Sequence, residues 1–285
     1  MSYEPDSLAR SLELAHLELC WGTVERASLL EMIGVAGKNG FSSVTVSVGQ
    51  YREAREAGIS DCKLRAALTA ADVRVGYVDA LGTALPGMPP PREDEKMIRW
   101  LYDASEEEVC GIAEALGSPA VNVAHRRGNA LPAETLAEAL GQLARRAADR
   151  GLTLLIEFHP LGGIPDLATA RQLIELAGES NVEILVDTVH HARSGGGLAD
   201  VVDAGRLVGG LQLADRAADD GPPFPPLGSR LMPGDGILPL RDIVAAVRAA
   251  RPDVPIGIEV FGEELRSMPF DAAAAAAARA VRGLM

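Results

Sequence analysis

Four polar residues interrupt short apolar runs in the second half of the chain. Glu157 lies in TLLIEFH (153–159), and Asp187 closes EILVDT (183–188), with His190 and His191 just beyond. Gln212 lies in LQLAD (211–215) and Glu259 in PIGIEVF (255–261). Taken singly, each reads as well as a capping acid or a satisfied buried polar group. Brought to one place, three carboxylates would repel, and each would resist ionisation. A divalent cation removes that conflict. Glu157, Asp187, Gln212 and Glu259 would offer it four oxygen ligands, a set suited to a hard ion such as Mg²⁺ or Mn²⁺.

The elements that must position these residues alternate along the chain. Strands are expected at 12–19, 43–48, 73–80, 120–125, 153–159, 183–188, 208–215 and 255–261, each a short run rich in β-branched or apolar residues. Helical spacing is expected over 25–38, 60–72, from Ser105 to 116, and over 132–150, 166–177, 198–204, 240–250 and 271–282. Ser105 and Glu108 have the spacing of a capping box. The proline-rich stretch 85–92 and the Pro/Gly stretch 221–236 are expected to be loops. Eight strand-then-helix units argue for parallel strands closed into a (β/α)8 TIM barrel, one domain over residues 1–285. No GxGxxG follows the first strand, which speaks against a dinucleotide fold. In such a barrel the chemistry sits where the strands end, which is where the four polar residues fall.

Composition narrows the partners. The 285 residues are 47% hydrophobic and 24% charged, which fits a chain with a real core. No apolar run approaches the ~20 residues of a membrane span, and residues 1–10 have neither a basic start nor an apolar stretch of the secretory kind. A net charge of -13 disfavours nucleic acid as a partner. Three widely spaced cysteines form no disulfide framework and no zinc pattern, so a reducing cytoplasm is the simplest location.

With these residues in view, the chain resembles the xylose isomerase-like TIM barrels of the sugar phosphate isomerase/epimerase superfamily. The resemblance is most specific from residue 153 onward. The metal-binding Glu, Asp and Glu of those proteins fall on Glu157, Asp187 and Glu259, and their DxxH motif on Asp187 to His190. Their Arg…Pro-Gly-x-Gly segment, whose arginine reaches substrate, falls on Arg230 to Gly236. Gln212 stands where most members carry histidine, and in this it resembles a subgroup containing 3-dehydroshikimate dehydratases. The resemblance implies one divalent ion, Mn²⁺ or Mg²⁺, and an enediolate formed by proton abstraction beside a carbonyl. It further implies Glu157 and Glu259 as acid and base, with His190 binding a substrate oxygen or shuttling a proton. Arg230 and Arg193 would contact substrate. Homo-oligomers are common in the superfamily.

Other residues read two ways. His159, two positions after Glu157, lines the pocket or ends a loop; His125, ending the fourth strand, faces the pocket or solvent. His16 reads as a satisfied core or mouth histidine, and His191 points away from the site. Arg126 and Arg127 form a surface basic pair or attract an anion such as phosphate. Asp215 supports the metal from outside. Three functions follow: an isomerase or epimerase of a sugar-like or polyol keto substrate, a dehydratase of the 3-dehydroshikimate type, and a non-catalytic binding barrel. A repair endonuclease of the related endonuclease IV type would need more than five histidines.

Overall fold

The computed structural model describes residues 16–93, 95–129, 131–219 and 229–285. The expectations for residues 1–10, the start of the first strand at 12–15 and loop residues 221–228 lie outside them. Eight parallel strands close into one barrel: β1 (Leu17–Leu19), β2 (Ser43–Ser47), β3 (Arg74–Asp79), β4 (Ala120–Ala124), β5 (Thr153–Glu157), β6 (Val182–Asp187), β7 (Val208–Leu213) and β8 (Ile256–Ile258). β8 pairs back onto β1, with Glu18 opposite Gly257. This is a TIM barrel, and every expected strand is present.

Alternation along each strand sorts the side chains into two environments. Leu17, Leu19, Val44, Val46, Val121, Val123, Leu154, Ile156, Ile184 and Val186 join the main core under the helices. Tyr77, Ala120, Leu155 and Leu185 form a second apolar cluster. Other alternate positions are polar yet buried, among them Glu18, Ser43, Thr45, Asn122 and Gln212. Glycine makes room among them. A Cβ at Gly76 would lie 1.5 Å from Glu18 Oε2, and one at Gly257 would lie 2.6 Å from the Leu211 carbonyl oxygen.

The helices that sequence spacing anticipates are present, with bounds that match or shift by up to four residues. The first begins at Leu29, where Ser28 and Glu31 form a capping box. At Ser105 only half a box forms. Its hydroxyl accepts the Glu108 N–H at 3.2 Å, while the Glu108 carboxylate turns to Arg52 at 2.7–2.8 Å. The helix Val48–Glu56 goes unanticipated because its apolar residues are few; the Ser47–Gln50 capping box that starts it is written in the sequence. The short helix Thr188–Arg193 also goes unanticipated, and it matters more. Asp187 caps it, its Oδ1 accepting the Val189 and His190 N–H groups at 2.8 Å each.

Gly257 lies two residues before Glu259 and against the β7 backbone. Gly257→Ala is expected to destabilise the protein by about 1–3 kcal/mol through overpacking, read as a lower urea midpoint. An unchanged midpoint would show that β8 shifts freely.

Candidate active site

The carboxyl ends of β3, β5, β6 and the β8 segment bring Asp79, Glu157, Asp187 and Glu259 together. A cavity of about 570 Å³, counted out to its mouth, opens above them. Its wall includes Trp21, Asp79, Trp100, Arg126, Glu157, His159, His190, Arg230, Glu259 and Phe261. The Glu157 side chain is 14% exposed and that of Glu259 5%, so Glu157 is the carboxylate most open to a ligand.

Each acid is held by a particular partner. Asn122 Nδ2 donates to Asp79 Oδ1 at 2.8 Å and to Glu157 Oε2 at 2.7 Å. Trp21 Nε1 donates to Asp79 Oδ2 at 2.5 Å. Asp187 Oδ1 is taken up by the helix cap, so Oδ2 alone faces the site. It lies 2.6 Å from Arg230 Nη1 but accepts no aligned hydrogen bond. Arg230 also lies 3.6 Å from Glu259 Oε2 and donates to the Glu259 backbone carbonyl at 3.1 Å. Asp215 braces the loop that carries Arg230, accepting N–H groups of Gly234 and Leu238 at 3.1 and 3.0 Å.

Burial and mutual repulsion set the charge states. Glu157 is pushed up to about 8 by burial first, then by Asp79 and Asp187. Burial and Asp79 raise Glu259 as well, against the opposing pull of Arg230. Burial raises Asp79, while its bonds from Trp21 and Asn122 pull it down. His190 moves the other way: burial, then Arg230, keep it well below its ordinary value and so neutral. Its Nε2 is 2.9 Å from Arg230 Nη2, so it accepts there and its proton sits on Nδ1. His159 is likewise held neutral by burial and by His190, with ring centroids 4.3 Å apart.

Glu157, Asp187 and His190 offer ligand atoms within 4.8 Å of one another. Gln212 is paired in register with Asp187. Its Nε2 donates to the Tyr77 hydroxyl at 3.0 Å, and its buried Oε1 has no partner. Gln212 Oε1, buried without a partner, and Asp187 Oδ2, which is ion-paired with Arg230, lie beside the carboxylates, and the unpaired amide oxygen suits a cation there.

Other residues singled out from the sequence lie elsewhere. His125 does not line the cavity; its Nδ1 accepts the Gly163 N–H at 2.7 Å and its Nε2 faces the Pro86 carbonyl at 3.2 Å, so it ties loops together. Arg193 is also absent from the wall and reaches Ser229 Oγ at 3.4 Å. His191 faces the Gly197 carbonyl at 3.0 Å. His16 precedes β1, at the opposite end of the barrel, beside Arg74. Asp215 supports the Arg230 loop. Arg126, by contrast, stands in the cavity wall. Sequence reasoning missed Asp79, Asn122, Trp21 and Glu18. The last is buried inside the barrel, and burial pushes its carboxyl up to about 7.

The fold and site define a class. Residues 33–284 match the family model for the xylose isomerase-like TIM barrel, and the chain belongs to that family. A Streptomyces coelicolor protein named as a candidate hydroxypyruvate isomerase is 30% identical over 218 residues, spanning 69% of this chain and 72% of that one. The IOLI protein, solved with a zinc atom, superposes with a TM-score of 0.79 at 16% identity, covering 94% of this chain and 97% of that chain. A candidate 3-DHS dehydratase, AsbF of Bacillus anthracis, superposes at 0.73 with 14% identity, covering 93% and 98%. Among the described residues no helix is long and apolar enough to cross a membrane.

Paired with Arg126 of the cavity wall, Glu95 is sensitive to acid. Burial alone would raise it, but bonds from Arg127, the Arg92 N–H and Tyr102, with Arg126 nearby, bring it down to about 2. Its contribution to stability is therefore present above its ordinary value of 4.5 and lost as pH falls through about 2. Urea unfolding of wild type and Glu95→Gln should differ steadily above pH 5 and converge toward pH 2. A difference that stays constant down to pH 2.5 would contradict this.

Proposed function

We propose that the protein is a divalent-metal-dependent isomerase or epimerase acting on a small hydroxy-carbonyl substrate. The observation that carries this reading is the meeting of Glu157, Asp187 and Glu259 with His190 at one cavity. The Streptomyces coelicolor relative, named for the isomerisation of a hydroxy-keto acid, supports it. Glu157, Asp187 and Glu259 would hold the ion, with Gln212 Oε1 as a fourth oxygen, and this donor set favours Mg²⁺ or Mn²⁺. When bound, such an ion polarises a carbonyl oxygen and stabilises negative charge on it.

The protein groups divide the remaining work. Asn122 fixes Glu157 Oε2 and leaves Oε1 toward His190, at 3.6 Å, and the cavity. Glu157, which a bound cation would keep ionised despite its raised basicity, is therefore the carboxylate placed to take a proton from the carbon beside the carbonyl, and Glu259 the one to return it at the neighbouring carbon. Neutral His190, with Arg230 fixing its tautomer, binds a substrate hydroxyl rather than repelling the ion. His159 packs on His190 and limits its rotation.

A second reading is a dehydratase, in which a hydroxyl leaves from the carbon next to the one that loses its proton. Gln212 on β7 favours it, through the subgroup this residue resembles. The products separate the two readings: dehydration gives a conjugated, ultraviolet-absorbing enone, and isomerisation does not.

Purified wild type should hold about one Mn²⁺ or Mg²⁺ per chain and Asp187→Ala none. At a hundredfold excess over Kd the ion should add about 2.7 kcal/mol of stability, a Tm rise of about 5–10 °C. No uptake by either protein would sink the metal assignment. Glu157→Gln and Glu259→Gln should each lower kcat by about a thousandfold or more while circular dichroism stays unchanged. Retained turnover would remove the acid and base roles.

A further inference from the structure

Arg126 and Arg127 are adjacent in sequence but serve different ends. Arg127 is committed to Glu95, its Nε reaching Oε1 at 3.0 Å and its Nη2 reaching Oε2 at 2.6 Å. Its Nη2 also meets the Tyr102 hydroxyl and the Pro90 carbonyl at 3.2 Å each. Arg126 shares the same carboxylate through Nη1 alone. Among the described residues its Nε and Nη2 have no hydrogen-bond partner, and its side chain forms part of the cavity wall. The Glu95 side chain is 7% exposed, so the tether is buried, while Arg126 itself is 24% exposed.

One carboxylate serves two guanidiniums, and arginine stays protonated. The cluster therefore carries one net positive charge, and it is placed on the wall rather than among the catalytic acids. That charge reaches into the site: it contributes to lowering the basicity of both His159 and His190. The neighbouring wall (Ile98, Trp100, Leu101) is apolar and offers no competing acceptor side chain. A guanidinium anchored on one nitrogen, with its other donors open, is shaped to grip a planar anion through two parallel N–H bonds.

We propose that Arg126 is the specificity residue of this cavity and selects substrates bearing a carboxylate. The carboxylate lies on Arg126, and the hydroxy-carbonyl end lies toward Glu157 and Glu259. A monoanion matches the single net charge of the cluster. A phosphate dianion would leave one negative charge uncompensated above the four acids. The proposal rests on the isomerase reading for the placement of the reacting end, but the anion site itself can be measured without turnover.

The test is calorimetric titration of the Mg²⁺-loaded protein with sodium glycerate, glycerol and glycerol phosphate at constant ionic strength. Glycerate should bind about 10- to 100-fold more tightly than glycerol, and more tightly than glycerol phosphate. Arg126→Met should erase the preference over glycerol, and Arg126→Lys should restore part of it. With hydroxypyruvate as substrate, Arg126→Met should raise KM by a similar factor and change kcat less. Equal binding of glycerate and glycerol by wild type would overturn the proposal, and that comparison needs no variant to fold. So would tighter binding of glycerol phosphate, or a glycerate preference that survives in Arg126→Met, which would place the anion on the metal. An Arg126-dependent glycerate site in a protein that does not turn over hydroxypyruvate would instead retire the isomerase reading and leave the carboxylate site standing.

Discussion

Four acids, Asp79, Glu157, Asp187 and Glu259, three of them buried and Glu157 partly so, are gathered at the carboxyl end of the barrel, and the surrounding structure answers that constraint. Burying charge without partners is costly, and like charges in contact oppose one another's ionisation. The chain meets the cost with directed donors: the Trp21 indole and Asn122 amide on Asp79, the same amide on Glu157, two helix N–H groups on Asp187, and a guanidinium set between Asp187 and Glu259. Raised Glu157 and Glu259 show that compensation is incomplete. An incompletely compensated group of acids keeps affinity for a cation.

Asp187 illustrates how local folding divides the work of one side chain. One oxygen terminates β6 by starting a helix, and that helix places His190 a turn away, facing the same site. The other oxygen is left for the site. A change at Asp187 would therefore loosen the histidine as well as the charge balance. Arg230 is coupled in the same manner, because the loop that carries it hangs on Asp215 at the end of β7.

The barrel and three of the acids at its mouth were legible because strand rhythm is local and because a charged residue inside an apolar run is conspicuous. Glu157, Asp187 and Glu259 all carry that signature. Asn122 in AVNVA and Asp79 at the end of VRVGYVD carry it too, in the first half of the chain as Gln212 does in the second. Trp21 and Arg126 gave no such signal. Trp21 follows β1 in a short helical turn, and only the closure of β8 onto β1 brings it to the cavity. Arg126 reads as a surface residue until Glu95, about thirty positions earlier, is seen to hold it. His125 failed for the opposite reason. It sits at a strand end as a site residue would, but the neighbouring loops claim both of its ring nitrogens.

The chain contains two tryptophans, Trp21 and Trp100, and both stand in the cavity wall, edge to face with centroids 5.8 Å apart. Trp21 is hydrogen-bonded to one of the buried acids and packs on Phe261, whose ring lies beneath Arg230. The indole emission of this protein therefore originates entirely at the cavity, so the molecule carries its own optical reporter of the polarity and charge around Asp79.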